Sequence, residues 1–343
     1  MVKQNITTEL YCNTRYFKNA LILMYSIFFI IALFKPLSAQ TLKFPKDDGR
    51  HENADFEAWS LFTHINSEKG QKFGVAIFFF TGKVIGIKAS GLYVVVADER
   101  KKEYQKFSKI QLPLFSSTTH TEDQLMENYS DNVLERDPKG GPYKVKIEMD
   151  DFSISLKFNP MKRPIDIGQL AVGEGSFNRI YAIPRGKVSA QMHFAGEEFQ
   201  LDGIGILQHQ WGDKPEQNAL SDIFALHLKD STDVLIYHSG TFPEINTMLI
   251  SDSNGKNRIL RKFTADADTV VIVKPSNDKF KLDWKFKSAE NQFKIKISPS
   301  FKGQEIEMLG LSYWLSRCKV IMEKGSGKTT DGIGYVYIGF DDS

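Results

Sequence analysis

The chain has 343 residues, 44 of them lysine or arginine and 42 aspartate or glutamate, so its charge is close to balanced. That balance lacks the one-signed field by which proteins bind nucleic acid or an anionic membrane surface, and no nucleic-acid partner is expected. The length suits two domains of ordinary size or one large β structure.

The N-terminus decides which residues count. Lys3, Arg15 and Lys18 precede the apolar run from Ala20 to Phe34, and Lys35-Pro36-Leu37-Ser38-Ala39-Gln40 follows it. Basic, apolar and small-residue segments in that order predict a secretory signal over residues 1–39, cleaved after Ala39, and hence a periplasmic or secreted protein. The apolar run is 15 residues long, short of the roughly 20 that cross a bilayer as a helix, so no integral membrane span is expected after signal removal. Cys12 leaves with the leader, and Cys318 alone cannot form an internal disulfide. Cleavage also takes four basic residues and one acidic, leaving 40 against 41 and a mature charge of about −1.

Past the leader, period-two alternation recurs. Val75 to Phe80 and Val94 to Val96 are apolar on both faces, which predicts strands that are covered on both sides or line an apolar interior. Glu122 to Glu135 reads as the one helix, with Leu125, Met126, Tyr129, Val133 and Leu134 sharing a face. Val145, Ile147 and Met149 alternate with polar residues, and the pattern resumes after Asp150-Asp151 as Phe152, Ile154, Leu156 and Phe158, predicting a hairpin. A second runs from Val188 to Phe194 and returns through Gly196 to Phe199 and Leu201; a third joins Phe280 to Phe286 with Phe293 to Ile297. Asn254-Gly255 predicts a tight turn, since both residues accept positive φ. Many strands and one short helix mean an all-β sandwich or barrel.

Few stretches carry chemistry. Gly325 to Thr330 resembles a phosphate-binding loop, but Met322 stands where its first glycine belongs, so a hairpin turn is the better reading. His51, Glu52, Asp55, Glu57 and His64 fit no zinc or calcium spacing and read as a solvated loop leading into a strand, so no metal site is expected there. The most specific segment is Leu201 to Gly212. Residues two apart on a strand point the same way, so His209 and Trp211 present an imidazole and an indole to one face. A proton-handling group beside a large π-surface suits chemistry on an alkene; a hydrogen-bonded core histidine next to a core tryptophan is the competing explanation.

Phe44-Pro45-Lys46-Asp47-Asp48-Gly49-Arg50-His51, followed by Glu57-Ala58-Trp59, resembles the opening F-P-R-D-H-G-x-H and E-W-W elements of the carotenoid 1,2-hydratase (hydroxyneurosporene synthase) and AttH-like family. His209-Gln210-Trp211-Gly212 is similar to that family's D-H-Q-W-G, and Tyr313-Trp314 and Gly332 to Val336 resemble its closing elements. The resemblance implies two lipocalin-like (calycin) antiparallel β-barrel domains, with an apolar ligand site near the His-x-Trp strand and the domain interface; the polar, proline-containing connector Asp213-Lys214-Pro215-Glu216-Gln217-Asn218 sets the expected boundary after Gly212, giving domains at 40–212 and 213–343. It also implies chemistry without a cofactor, with His209, Trp211 and Tyr237 as catalytic residues and Trp59 and Trp314 joining them as ligand contacts.

The chain departs from the pattern at Gln208, Ala58, Leu315 and Tyr337, and at Ser239, where the hydratases carry an aspartate. Protonating an unactivated alkene requires an acid that serine cannot supply, which argues against hydration of a carotenoid. Two readings stand. One is an exported protein that binds an apolar, lipid or isoprenoid-like molecule. The other is a cofactor-independent hydratase acting on an isoprenoid double bond, with His209 or an acid such as Asp202 or Asp222 moving the proton.

Overall fold

Alternation becomes strand throughout the computed structural model, which describes residues 42–339 except 85–86, 112–117, 121–123, 174–175, 214–221, 241–242, 244–245, 274–276, 289, 291–292 and 309–310. The expected signal at 1–39 and the connector after Asp213 lie outside the described residues. Along Tyr143 to Met149, Tyr143, Val145 and Ile147 are buried while Lys144, Lys146 and Glu148 are exposed, as a pleated strand with one wet face requires.

The strands form two antiparallel sheets. The first, of 12 strands, contains β1 (Phe56–Ser67), β2 (Lys72–Val84), β3 (Ile87–Asp98), β4 (Glu103–Gln111), β5 (Thr118–His120), β6 (Met126–Tyr129), β7 (Asn132–Arg136), β8 (Tyr143–Met149), β9 (Phe152–Pro160), β10 (Ile165–Gly173), β11 (Ser176–Phe194) and β12 (Glu197–Gly212). The second, of 10, contains β13 (Asp222–Leu228), β14 (Asp233–His238), β15 (Thr247–Ser251), β16 (Asn257–Leu260), β17 (Thr264–Ile272), β18 (Lys279–Ser288), β19 (Phe293–Pro299), β20 (Glu305–Met308), β21 (Leu311–Lys324) and β22 (Thr329–Gly339).

Both sheets follow one plan. Each opens with a four-strand meander, its first strand pairs with its last, and a short strand pairs off the main path with the penultimate one: β10 with β11, and β20 with β21. Each sheet curls into a barrel-like shape. In the first, the Tyr129 hydroxyl donates to the carbonyl of Phe80 at 3.2 Å, tying β6 to β2.

Three apolar clusters hold these sheets. Val75, Ile77 and Phe79 of β2 point into the first barrel, whereas Ala76, Phe78 and Phe80 of the same strand face the second sheet, where they join Leu235, Tyr237, Tyr335 and Tyr337. The alternate residues of β14, Val234 and Ile236, fill the second barrel with Phe280, Trp284 and Phe286. Strands apolar on both faces are thus sandwiched between a barrel interior and the partner sheet. Charged groups clamp the same interface: Arg185 and Lys162 of the first barrel meet Asp233 of the second at 2.8 Å and 2.7 Å.

Of the helix expected over Glu122 to Glu135, the first two residues lie outside the described residues and the rest holds a hairpin instead, β6 to β7, turning at Ser130 with φ of 59°. Glu127 and Tyr129 are buried on one strand, with Leu125 buried just ahead of it, and Asn132 and Leu134 on the other. A buried glutamate and asparagine break the apolar alternation that would have marked the strands. At Asn254-Gly255 a hairpin forms, but only Gly255 takes positive φ, at 77°, and the loop closes through Asp252, whose carboxylate accepts the amides of Asn254 and Lys256 at 2.9 Å. The Gly325 to Lys328 segment is the turn between β21 and β22, as its composition implies. Among the described residues, no helix is long and apolar enough to cross a membrane.

Candidate active site

The seam between the first and last strands of the first barrel builds the site. β1 pairs with β12 so that Trp59 lies opposite His209 and Glu57 opposite Trp211, and β11 flanks β12 with Tyr181 opposite His209. Alternation then turns Trp59, Tyr181, His209 and Trp211 toward one face. Trp59 stacks on His209 with centroids 4.5 Å apart, Trp211 lies 4.8 Å from His209, and Tyr181 meets the imidazole edge-on at 5.5 Å. The apolar filling of the barrel, including Phe79, Val94 and Phe158, belongs to the same cluster as Trp59 and Tyr181.

The segment ahead of β1 runs against this end of the barrel. Its 3₁₀ turn, Lys46–Asp48, offers backbone acceptors to two rings: His209 Nδ1 lies 3.0 Å from the Asp47 carbonyl, and Trp59 Nε1 donates to that of Asp48 at 2.9 Å. The buried Asp48 carboxylate collects the hydroxyls of Tyr143, at 2.7 Å, and Tyr181, and the Arg136 guanidinium at 2.6 Å. Beside it, Arg50 makes a two-pronged ion pair with Glu127, which is also buried.

Glu57 is the centre of the site. Its carboxylate is fully buried and accepts the His51 amide, at 3.1 Å and 3.0 Å to the two oxygens. One oxygen, Oε1, lies 2.8 Å from His51 Nδ1 and 2.9 Å from His209 Nε2. Burial by itself would raise the carboxyl pKa, but hydrogen bonds from His209 and His51 outweigh it and hold Glu57 below its ordinary value. His209 is wholly buried, whereas His51 is part-exposed and stacks flat on Trp211 at 4.1 Å. His51 and Trp211 line an open cleft of about 440 Å³ whose other walls include Lys46, Arg50, Glu52 and Asp213.

These positions correct the reading of His51 to His64 as a solvated loop leading into a strand. Glu57 and His64 are buried in β1, and the ligating atoms of His51, Glu57 and His209 all lie within 4.8 Å of one another. Spacing could not reveal this, because the third member comes from 152 residues further along.

The chain matches the AttH-like family over residues 35–338. It belongs to the AttH-like family. Two solved structures share the AttH-like fold. A putative AttH from Nitrosomonas europaea is 19% identical with a TM-score of 0.76, the match covering 88% of this chain and 97% of that one. Kievitone hydratase from Nectria haematococca is 15% identical with a TM-score of 0.72, covering 89% of this chain and 94% of that one. None of the curated proteins matches by sequence.

Of the five residues singled out from the AttH-like resemblance, Trp59, His209 and Trp211 come together. Tyr237 lies in the cluster between the barrels and Trp314 inside the second barrel, both buried. Alternation along β14 fixes this for Tyr237: Val234 and Ile236 enter the second barrel, so Leu235 and Tyr237 face the other way. Ser239 carries no carboxylate, but one stands in this cluster on β1, at Glu57. The signal for it was its place two residues before Trp59, on the same face of a strand.

Proposed function

We propose that this AttH-like protein is a hydro-lyase that adds water to, or removes it from, a carbon–carbon double bond of a small molecule with an apolar body. The reacting end lies in the cleft beside His51 and Trp211, and the leader carries the enzyme out of the cytoplasm. One observation supports this above others: the buried Glu57 carboxylate is shared by two imidazoles, and one of them, His51, reaches the cleft. Water addition needs a group that activates the water and one that delivers a proton to the second carbon; the hydroxyl and the proton come from the same water, so nothing is oxidised or reduced. The His51–Glu57–His209 group meets the first need. The hydratase named among the structural neighbours points the same way.

The test is incubation with a panel of prenylated phenols and isoprenoid alkenes in ¹⁸O-labelled water, read by mass spectrometry. A product carrying one added labelled water, lost in Glu57→Gln, supports the hydro-lyase; no product across the panel in either direction overturns it. A second reading is retention of an apolar ligand without turnover. What favours it is that His209 is hydrogen-bonded at both ring nitrogens and fully buried, leaving it no contact with a guest molecule. A panel compound that co-elutes unchanged with the protein is the result that supports it.

A further inference from the structure

The hydrogen bonds around His209 leave one contact unexplained. The Asp47 carbonyl oxygen can only accept, so the 3.0 Å contact to Nδ1 puts a proton on that nitrogen. In a neutral ring, Nε2 then turns a lone pair toward Glu57 Oε1, itself an acceptor, at 2.9 Å. Two arrangements satisfy that contact: a second ring proton, which makes an imidazolium–carboxylate pair, or a metal cation held between the two atoms. The same oxygen meets Nδ1 of His51 at 2.8 Å.

We propose that His51 Nδ1, Glu57 Oε1 and His209 Nε2 bind one divalent transition-metal ion of the zinc class, with water completing its coordination. The proposal rests on the barrel mouth being the functional site, and it names what activates the water there.

Two imidazoles and one carboxylate are the donor set of hydrolytic zinc centres, which keep a further position for water. The set lacks the thiolates that select copper(I) and iron–sulfur clusters, and the many oxygens that calcium takes. The three donors come from three separately anchored segments: the loop ahead of β1, β1 itself and β12.

The surroundings hold the ligands as metal ligands are held. The second ring nitrogen of His209 is fixed by a backbone carbonyl, and the Glu57 carboxylate is oriented by the His51 amide. Bonds of roughly 2.0–2.1 Å place tetrahedral donors about 3.4 Å apart. The present contacts of 2.8 Å and 2.9 Å, and a third no longer than 4.8 Å, need shifts of only about 1 Å or so to reach that value. His51 lines the cleft, which gives water and substrate a way to the open position.

The test uses the full chain without a histidine tag, dialysed against a chelator and then titrated with zinc by calorimetry and with cobalt(II) by visible spectroscopy. One zinc per chain is expected, together with the intense d–d absorption of a four- or five-coordinate cobalt site. His51→Ala and Glu57→Gln each weaken zinc binding about 100-fold, whereas His193→Ala, in a surface pair with Glu198, leaves it unchanged. His51 is part-exposed, so its variant keeps the fold, as circular dichroism checks. No zinc binding by folded protein, or binding that both variants retain, overturns the assignment. Zinc bound at this site with no product from the alkene panel sinks the hydro-lyase reading alone. Full turnover after metal removal sinks the metal and leaves the hydro-lyase standing.

Discussion

Glu57 on β1 and His209 on β12 share a 2.9 Å contact between fully buried side chains that stand 152 residues apart in the chain. Removing the carboxylate strands the His51 amide and one nitrogen on each of two imidazoles. Glu57→Ala is therefore expected to cost about 3 kcal/mol or more of folding stability, and Glu57→Gln distinctly less, because the amide oxygen still accepts. Urea denaturation of the two variants measures the difference.

Asp48 holds Tyr143, Tyr181 and Arg136 at once. Tyr181→Phe removes one of three donors to a carboxylate that stays paired, an expected loss of about 1–2 kcal/mol. Tyr143 and Tyr181 share an acceptor, so the double Tyr→Phe variant should depart from the sum of the singles by at least ~0.5 kcal/mol. A double-mutant cycle by chemical denaturation reads that coupling; simple additivity would show that the two hydroxyls act independently.

The pH dependence of stability should carry the mark of His64. Burial, with the Arg317 charge and His227 adding to it, holds its pKa well below the ordinary histidine value. Below pH about 6.5 the unfolded chain takes up a proton at this position that the folded chain refuses. Stability is then full above that pH and falls as the medium is acidified, by up to ~1.4 kcal/mol per pH unit for one such group. His64→Gln should flatten the slope below pH about 6.5; an unchanged slope would assign it to other groups, such as His227.

Asp233 pairs with two cations of the first barrel, Arg185 and Lys162, and hydrogen-bonds the His227 ring beside it. Asp233→Asn leaves two buried cations without a counter-charge, and the expected cost is about 3–5 kcal/mol. Because the break falls between barrels, scanning calorimetry should resolve two transitions where the parent shows one.

The strands that wet one face, such as β8 and β9 or β18 and β19, were legible because lysines and glutamates mark the exposed positions. β6 and β7 were not, because Glu127 points inward to Arg50 and Asn132 bonds the backbone at Tyr129 and Glu148; polar groups satisfied inside a barrel look like a polar helix face. The shared face of His209 and Trp211 followed from their spacing alone. Their partners did not, since the register of β1 against β12 places Glu57 and Trp59 there, and no local pattern encodes a pairing between strands so far apart. The Trp211 indole is also less open than its spacing suggested: one of its faces is covered by His51.

Because the first strand of each sheet hydrogen-bonds its last, neither cylinder can shut until its entire length has been delivered. During synthesis, β1 waits for β12 with one edge unsatisfied, a costly closure of a very long loop that comes late in folding. The Glu57–His209 contact lies on that closing edge. Whatever the site does, a half-made or truncated chain cannot do it, so an unfinished molecule stays chemically silent.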